Sequence, residues 1–299
     1  MATYSQVAQA HWAPLSRRLV QPWIVGWALG AAILISVFGA DALQQTFREP
    51  DSAMRLVQVR DLLGGQGWFD TTQYRLNPPD GVAMHWSRWV DAAIAGGIGV
   101  LTPAVGRDAA EVAVAFAWPL GLLAVFMFLV TRIAGLLATD SAHEGQVKWT
   151  AAVVAALAFP AIDRFAPGMF DHHNVVLVLV LGAIWALMTM SSHNRRGFLA
   201  GGALALAVVT AAEALPFLAT GSVVAGLLWI VRPARFAASL FQFGAGMSVV
   251  MLAGFLTHVP PSAWSQAQCD AISTSFLSIG IASGFTAICL SRVSHQRLT

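Results

Sequence analysis

Charge is what this chain has least of. Aspartate, glutamate, lysine and arginine make up 11% of its 299 residues, against 57% hydrophobic ones. A water-soluble domain of that balance would leave large apolar patches exposed, so an ordinary soluble globular protein is excluded and lipid is the expected solvent. Cysteine is nearly absent as well. Cys269 and Cys289 stand in no metal-like spacing, which excludes a disulfide framework and a cysteine zinc site. No internal repeat, low-complexity tract or soluble linker interrupts the chain. The net charge of +2 says little in itself, and nothing points to a nucleic-acid partner.

Long apolar runs are what the sequence has in abundance. A membrane-crossing helix needs about 20 mostly apolar residues to traverse a hydrocarbon core of about 30 Å. Candidate spans fall at 21–40, 110–137, 149–163, 174–190, 198–213, 214–231, 236–257 and 273–290. The fifth and sixth are nearly continuous around Glu213 and Pro216, where proline suits a tight reversal. The first run follows Arg17 and Arg18 and precedes Ala40-Asp41-Ala42, which imitates a signal-peptidase site; its near-spanning length favours an uncleaved helix. The glycine-rich segment 92–105 is too short for a full crossing and suits an interfacial or re-entrant helix.

Arginine placement orients these spans. With eight crossings and the N-terminus inside, the inner segments carry Arg17, Arg18, Arg132, Lys148, Arg195, Arg196, Arg232, Arg235, Arg292 and Arg297, and the short outer loops carry only Arg164. That is the positive-inside pattern of a bacterial-type inner membrane protein with a cytoplasmic N-terminus. The expected organisation is therefore all-α and polytopic: a cytoplasmic segment 1–20, one transmembrane domain 21–290 containing a long outer (periplasmic) loop 41–109, and a cytoplasmic tail 291–299. Cys269 and Cys289 then lie near opposite faces, too far apart to pair.

Polar chemistry gathers on the outer side. The long loop opens with "REPDSAMRLVQVRDLLGG", in which Pro50 is a helix-start signal and Gly64-Gly65 an end signal. Met54, Leu56, Val57, Leu62 and Leu63 form the apolar side of that helix, while Asp51 and Arg55, four apart, share another face. Asp51 is either a first-turn acid stabilising the helix dipole or, with Glu49 and Arg55, part of a site beside the first span. Further on, "NPPDGVAMHWSRWVD" combines turn chemistry at 77–81 with His85, Trp86, Arg88 and Trp89. These residues fit an aromatic belt with snorkelling arginine, or recognition of an anionic headgroup by Arg88. In "GMFDHHNVV", Asp171 and His173 offer oxygen and nitrogen ligands for a divalent cation, a set too small without a partner such as Asp51 or Glu49. The plainer alternative has Asp171 capping the following helix and both histidines idle among headgroups, with His172 a non-liganding neighbour in either case. Glu213, in "TAAEALPFL", is an acid at or near a span end.

The order of these features resembles the membrane half of the GT-C glycosyltransferases, above all the catalytic subunits of the oligosaccharyltransferases. Here "EPD", Glu49 to Asp51, stands where that family has its first acidic motif, after the first span. "DHH", Asp171 to His173, stands at the second, Asp-x-Asp, Asp-x-Glu or Asp-x-His. The similarity covers roughly residues 20–231. It implies a divalent metal (Mg or Mn) held by Asp51, Asp171 and His173, a polyprenyl-phosphate-linked sugar donor, and Asp51 orienting or deprotonating the acceptor. Glu49, Arg55, His85, Arg88 and Glu213 are then the candidate substrate-binding residues. This chain departs from the pattern in lacking the family's later acidic loop and its soluble C-terminal domain with a Trp-Trp-Asp motif. Protein N-glycosylation is accordingly the less expected outcome, and a shortened relative, another acceptor or a partner protein supplying an outer domain are the expected variants.

Two other classes compete with the enzyme. A transporter or efflux component would place ionisable residues in mid-span on a proton path, and away from Glu213 and the span ends there are none. A non-catalytic membrane protein contacting only lipid would need no convergent acids and histidines.

Overall fold

In the computed structural model the chain is described from residue 21 to residue 293; the expected cytoplasmic segment 1–20 and the end of the tail lie outside the described residues. Among the described residues the protein is all-α apart from one small hairpin. Helices α1 (Pro22–Leu43), α2 (Pro50–Leu63), α3 (Arg88–Val105), α4 (Arg107–Leu137), α5 (Glu144–Leu157), α6 (Phe159–Ile162), α7 (His173–Thr189), α8 (Arg195–Thr210), α9 (Leu215–Val231), α10 (Pro233–His258) and α11 (Thr274–Arg292) follow in that order. Strands β1 (Thr72–Gln73) and β2 (Val82–Ala83) pair antiparallel between α2 and α3.

Five helices are long and apolar enough to cross a membrane: α1, α4, α9 with its leading turn, α10 and α11. The expected span 149–163 is instead a bent pair, turning by 73° between α5 and the segment Phe159–Phe165. Pro160 explains the break, because it has no N–H to continue the ladder from α5. The expected spans 174–190 and 198–213 become α7 and α8, of 17 and 16 residues. At 1.5 Å per residue these reach only about 24–26 Å. The reversal expected near Glu213 is present as a 3-10 turn, Ala212–Ala214, with Pro216 in the first turn of α9.

Packing divides into three apolar clusters. One joins α1, α4, α5 and the turn before α7 through Leu34, Leu123, Met127 and Phe165. A second fills the α7–α11 bundle around Leu204, Phe243 and Met247. The third lies under the segment 44–106, where Leu56, Val59, Ile94 and Ile98 of α2 and α3 meet Val114 of α4 and Phe170. Without a strong hydrophobic drive between helices in lipid, small residues must let backbones approach. Gly201 of α8 does so: an added Cβ would run into the carbonyl of Phe243 on α10. Gly246 of α10 sits equally close to the carbonyl of Phe198. Gly201→Ala is therefore expected to destabilise the folded protein by about 1–3 kcal/mol. Gly121→Ala, where the added Cβ meets nothing within 4 Å, should be neutral. Unfolding temperatures of the two variants in detergent check this.

The segment between α1 and α4 is tied to the ends of distant helices. Ser52 Oγ accepts from the Phe170 amide at 3.2 Å, Arg164 pairs with Glu49 at 2.9 Å, and Ser87 contacts His258 at 2.8 Å. The Trp68 indole donates to the Thr257 carbonyl. Two motifs more than a hundred residues apart thus share one end of the bundle.

Candidate metal-binding site at the start of α7

The site is built where α7 begins. Gly168 has φ +86, a conformation that favours glycine, and it turns the chain out of the 163–165 helix toward the motif. Phe170 is then buried against Phe47 and anchored to Ser52. His172 is the N-cap of α7, already with right-handed helical angles, and His173 its first residue, so Asp171 stands just before the helix. Three consecutive side chains converge here, whereas successive residues well inside a helix point about 100° apart.

They do converge. One ligand atom from each of Asp171, His172 and His173 lies within 4.8 Å of the others. Asp171 Oδ1 is 2.7 Å from His172 Nδ1, and Oδ2 is 3.2 Å from His173 Nε2. Across the rings stands Glu213, from the turn between α8 and α9. Its Oε1 is 3.0 Å from His173 Nδ1 and 3.5 Å from His172 Nε2. Asp171 is 2% exposed, and each of its carboxylate oxygens faces one imidazole at those short distances. Burial alone would push this carboxyl up; contact with His172, and then the charges of His172 and His173, outweigh it and hold Asp171 down at about 2. A depressed carboxylate stabilises the fold above its unfolded value of about 3.9, and that contribution is lost as pH falls toward 2. At neutral pH Asp171 is an anion.

Protonating both histidines would put two imidazoliums with centroids 4.6 Å apart, and the Arg55 guanidinium is 3.4 Å from one of them. A divalent cation among neutral imidazoles and the buried carboxylate avoids that like-charge crowding and satisfies the lone pairs of Asp171. The donor set fits a borderline or hard divalent ion.

Beside this cluster opens a cavity of about 670 Å³, walled by Asp51, His85, Trp86, His172, His173 and Glu213 among others. Asp51 thus shares the cavity with the cluster but is not one of the three convergent residues. His172 belongs to the cluster, against its expected role as a bystander. Nothing in the spacing alone separates the two histidines, because the answer depends on where α7 starts. A smaller adjoining cavity of about 380 Å³ shares His85 and Trp86 and reaches Ser87, Arg88 and His258.

Three residues expected to bind substrate are otherwise engaged. Arg55 is fully buried, its Nη1 donating to Asp91 at 2.8 Å, and its guanidinium lies over Trp86 at 4.7 Å. Arg88, 2% exposed, has no free fork for a phosphate. Its Nη1 is held by Asp91 at 3.3 Å, Nε by the Trp68 carbonyl at 3.1 Å, and Nη2 by Gln66 and the Asp70 carbonyl. Glu49 is paired with Arg164, which also makes a longer contact of 3.9 Å with Asp163. The helix α2 explains the arginine: it buries Ser52, Arg55, Gln58 and Val59 beside Leu56, so its inward face is partly polar and not the expected apolar stripe. Asp91, unmarked in the sequence, supplies the shared carboxylate. Burial pushes it up while Arg55 and Arg88 pull it down.

No family model, curated protein or solved structure matches this chain.

Proposed function

We propose that the chain is a membrane glycosyltransferase of the GT-C kind, taking its sugar from a polyprenyl-phosphate-linked donor at the outer face of an inner membrane. The observation that carries this reading is the buried Asp171 carboxylate held between two imidazoles at the edge of a large cavity that Asp51 also lines. Asp171, His172 and His173 would hold the divalent ion, with Glu213 across the rings. When bound, such an ion supplies positive charge against the phosphate oxygens of the departing lipid. Asp51, exposed on the cavity wall, orients the acceptor hydroxyl and takes its proton. Arg55, pinned by Asp91 behind His172, keeps that ring turned toward the cluster. The cavity opens at the ends of apolar helices α7 and α9, which suits a donor whose phosphate sits at the bilayer surface. Eight crossings with a cytoplasmic N-terminus complete the reading, α7 and α8 crossing as short helices inside the bundle.

The test is turnover in vesicles. The purified chain, given a polyprenyl-phosphate sugar and Mg or Mn, is expected to release polyprenyl phosphate, and EDTA is expected to stop it. Release that continues undiminished in EDTA contradicts the reading.

A further inference from the structure

The opposite end of the bundle carries a feature that the sugar chemistry does not use. Between α7 and α9 runs an apolar groove of about 570 Å³, lined by Val180, Ile184 and Met188 on one side and Val224 and Leu228 on the other, with Phe236 of α10 at its far end. The groove follows α9 from Phe217 near its start to Leu228, and α7 from Val180 to Met188, toward the end of the bundle away from His173. Immediately beyond Phe236 the surface becomes cationic. Arg235 donates to Ser191 Oγ at 3.1 Å, Arg196 lies over Trp185 at 4.9 Å, and Arg195 and Arg232 complete the group. Among the described residues none of these four arginines has a carboxylate partner. Asp140 and Glu144, the acids expected on this side, are taken by His143 and Lys148.

Two helix N-termini sharpen the imbalance. Both α8 and α10 begin here, next to one another, since Ser239 of α10 reaches the Met190 carbonyl and Asn194 at 2.9 and 3.3 Å. Neither has an acidic residue in its first turn, and neither has a side-chain cap. A helix N-terminus attracts negative charge, and arginine there is unfavourable unless an anion is supplied from outside. Unsatisfied positive charge at the mouth of an apolar groove is complementary to one kind of molecule: an anion joined to a hydrocarbon chain.

We propose that this groove is a binding site for an anionic phospholipid, its acyl chain between α7 and α9 and its phosphate on Arg232, Arg235 and the α8 and α10 N-termini. The site rests on the chain's residence in a membrane and is independent of the outer cluster. Native mass spectrometry of the detergent-purified full chain tests it, with phosphatidylglycerol, phosphatidylcholine and inorganic phosphate as the probes. Phosphatidylglycerol is expected to be retained at a concentration at least about tenfold lower than phosphatidylcholine, as differential binding to two neutralised arginines and two helix ends would give. That preference should vanish in R232Q/R235Q. Retention of phosphatidylglycerol should also fall severalfold in Val224→Trp, which fills the groove without altering charge. Equal retention of the two lipids by the unaltered protein overturns the proposal. So does a preference that Val224→Trp leaves intact, which would mean surface charge alone. Competition by inorganic phosphate at the lipid's own concentration overturns it too, because the chain would then contribute nothing. None of these outcomes bears on sugar transfer, so the outer site stands or falls separately.

Discussion

Asp171→Asn is expected to lower sugar transfer by at least about a hundredfold to a thousandfold, the range seen when one preorganised electrostatic contact to a departing oxygen is removed. The substitution keeps the shape of the side chain and removes only its charge. Because Asp171 is buried between His172 and His173, no neighbouring carboxylate stands in the same place. Glu213→Gln should have the milder effect, since the Glu213 side chain is 58% exposed and touches the cluster from across the rings. Asp51→Ala should abolish transfer as well but leave cation affinity nearly unchanged, because Asp51 lines the cavity without belonging to the convergent trio. The ordering is specific: Asp171→Asn loses both cation and turnover, Asp51→Ala loses turnover alone. Transfer assays in vesicles paired with Mn titration by electron paramagnetic resonance read both quantities. An Asp171→Asn enzyme with full activity removes the assignment.

The second large effect is on stability. Arg55→Leu should cost about 3–5 kcal/mol, the usual loss when one member of a buried ion pair is deleted and its partner remains. Arg55 and Asp91 are both fully buried, and Arg88, also buried, holds the other Asp91 oxygen at 3.3 Å. Removing Arg55 leaves Asp91 with a single, longer contact in a region that cannot hydrate it. The double variant Arg55→Leu/Asp91→Leu should recover part of the loss, because the unpaired charge is then gone. Thermal unfolding in detergent separates the variants. Equal stability of Arg55→Leu and the unaltered protein would show that the pair is accessible to water.

The local signals in the sequence were read correctly wherever backbone chemistry decides. Pro50 starts α2 and Gly64-Gly65 ends it, with Gly65 at φ +98. The turn at 77–81 closes the small hairpin, with Asn77 and Gly81 at positive φ. The reversal at Glu213 and Pro216 stands where the run of apolar residues predicts it. Hydropathy does not show where a helix bends. Residues 149–163 read as one span, and Ala158 with Pro160 breaks them into two directions; α7 and α8 stand on the runs 174–190 and 198–213, as helices of 17 and 16 residues.

At the site the residue types were legible and their orientations were not. Asp171, His173 and Glu213 drew attention as ionisable groups beside apolar runs, and they meet. Arg55 and Arg88 drew attention for the same reason, and they point into the protein. The difference is made by Asp91, a carboxylate one turn into α3 that gives both guanidiniums a buried partner. Nothing local marks it, because it is an acid in the first turn of a helix, where acids are common. His172 was missed on the same ground: only the three-dimensional start of α7 tells which of two adjacent histidines faces the carboxylate, and here both do.

The cation is the centre of the account, and pulsed electron paramagnetic resonance on the Mn-loaded, detergent-purified chain addresses it most directly. One bound ion per chain with nitrogen modulation from two imidazoles is expected, halved in either His172→Ala or His173→Ala and absent in the pair. A bound ion without nitrogen coupling, or no ion retained at micromolar concentration, would contradict it.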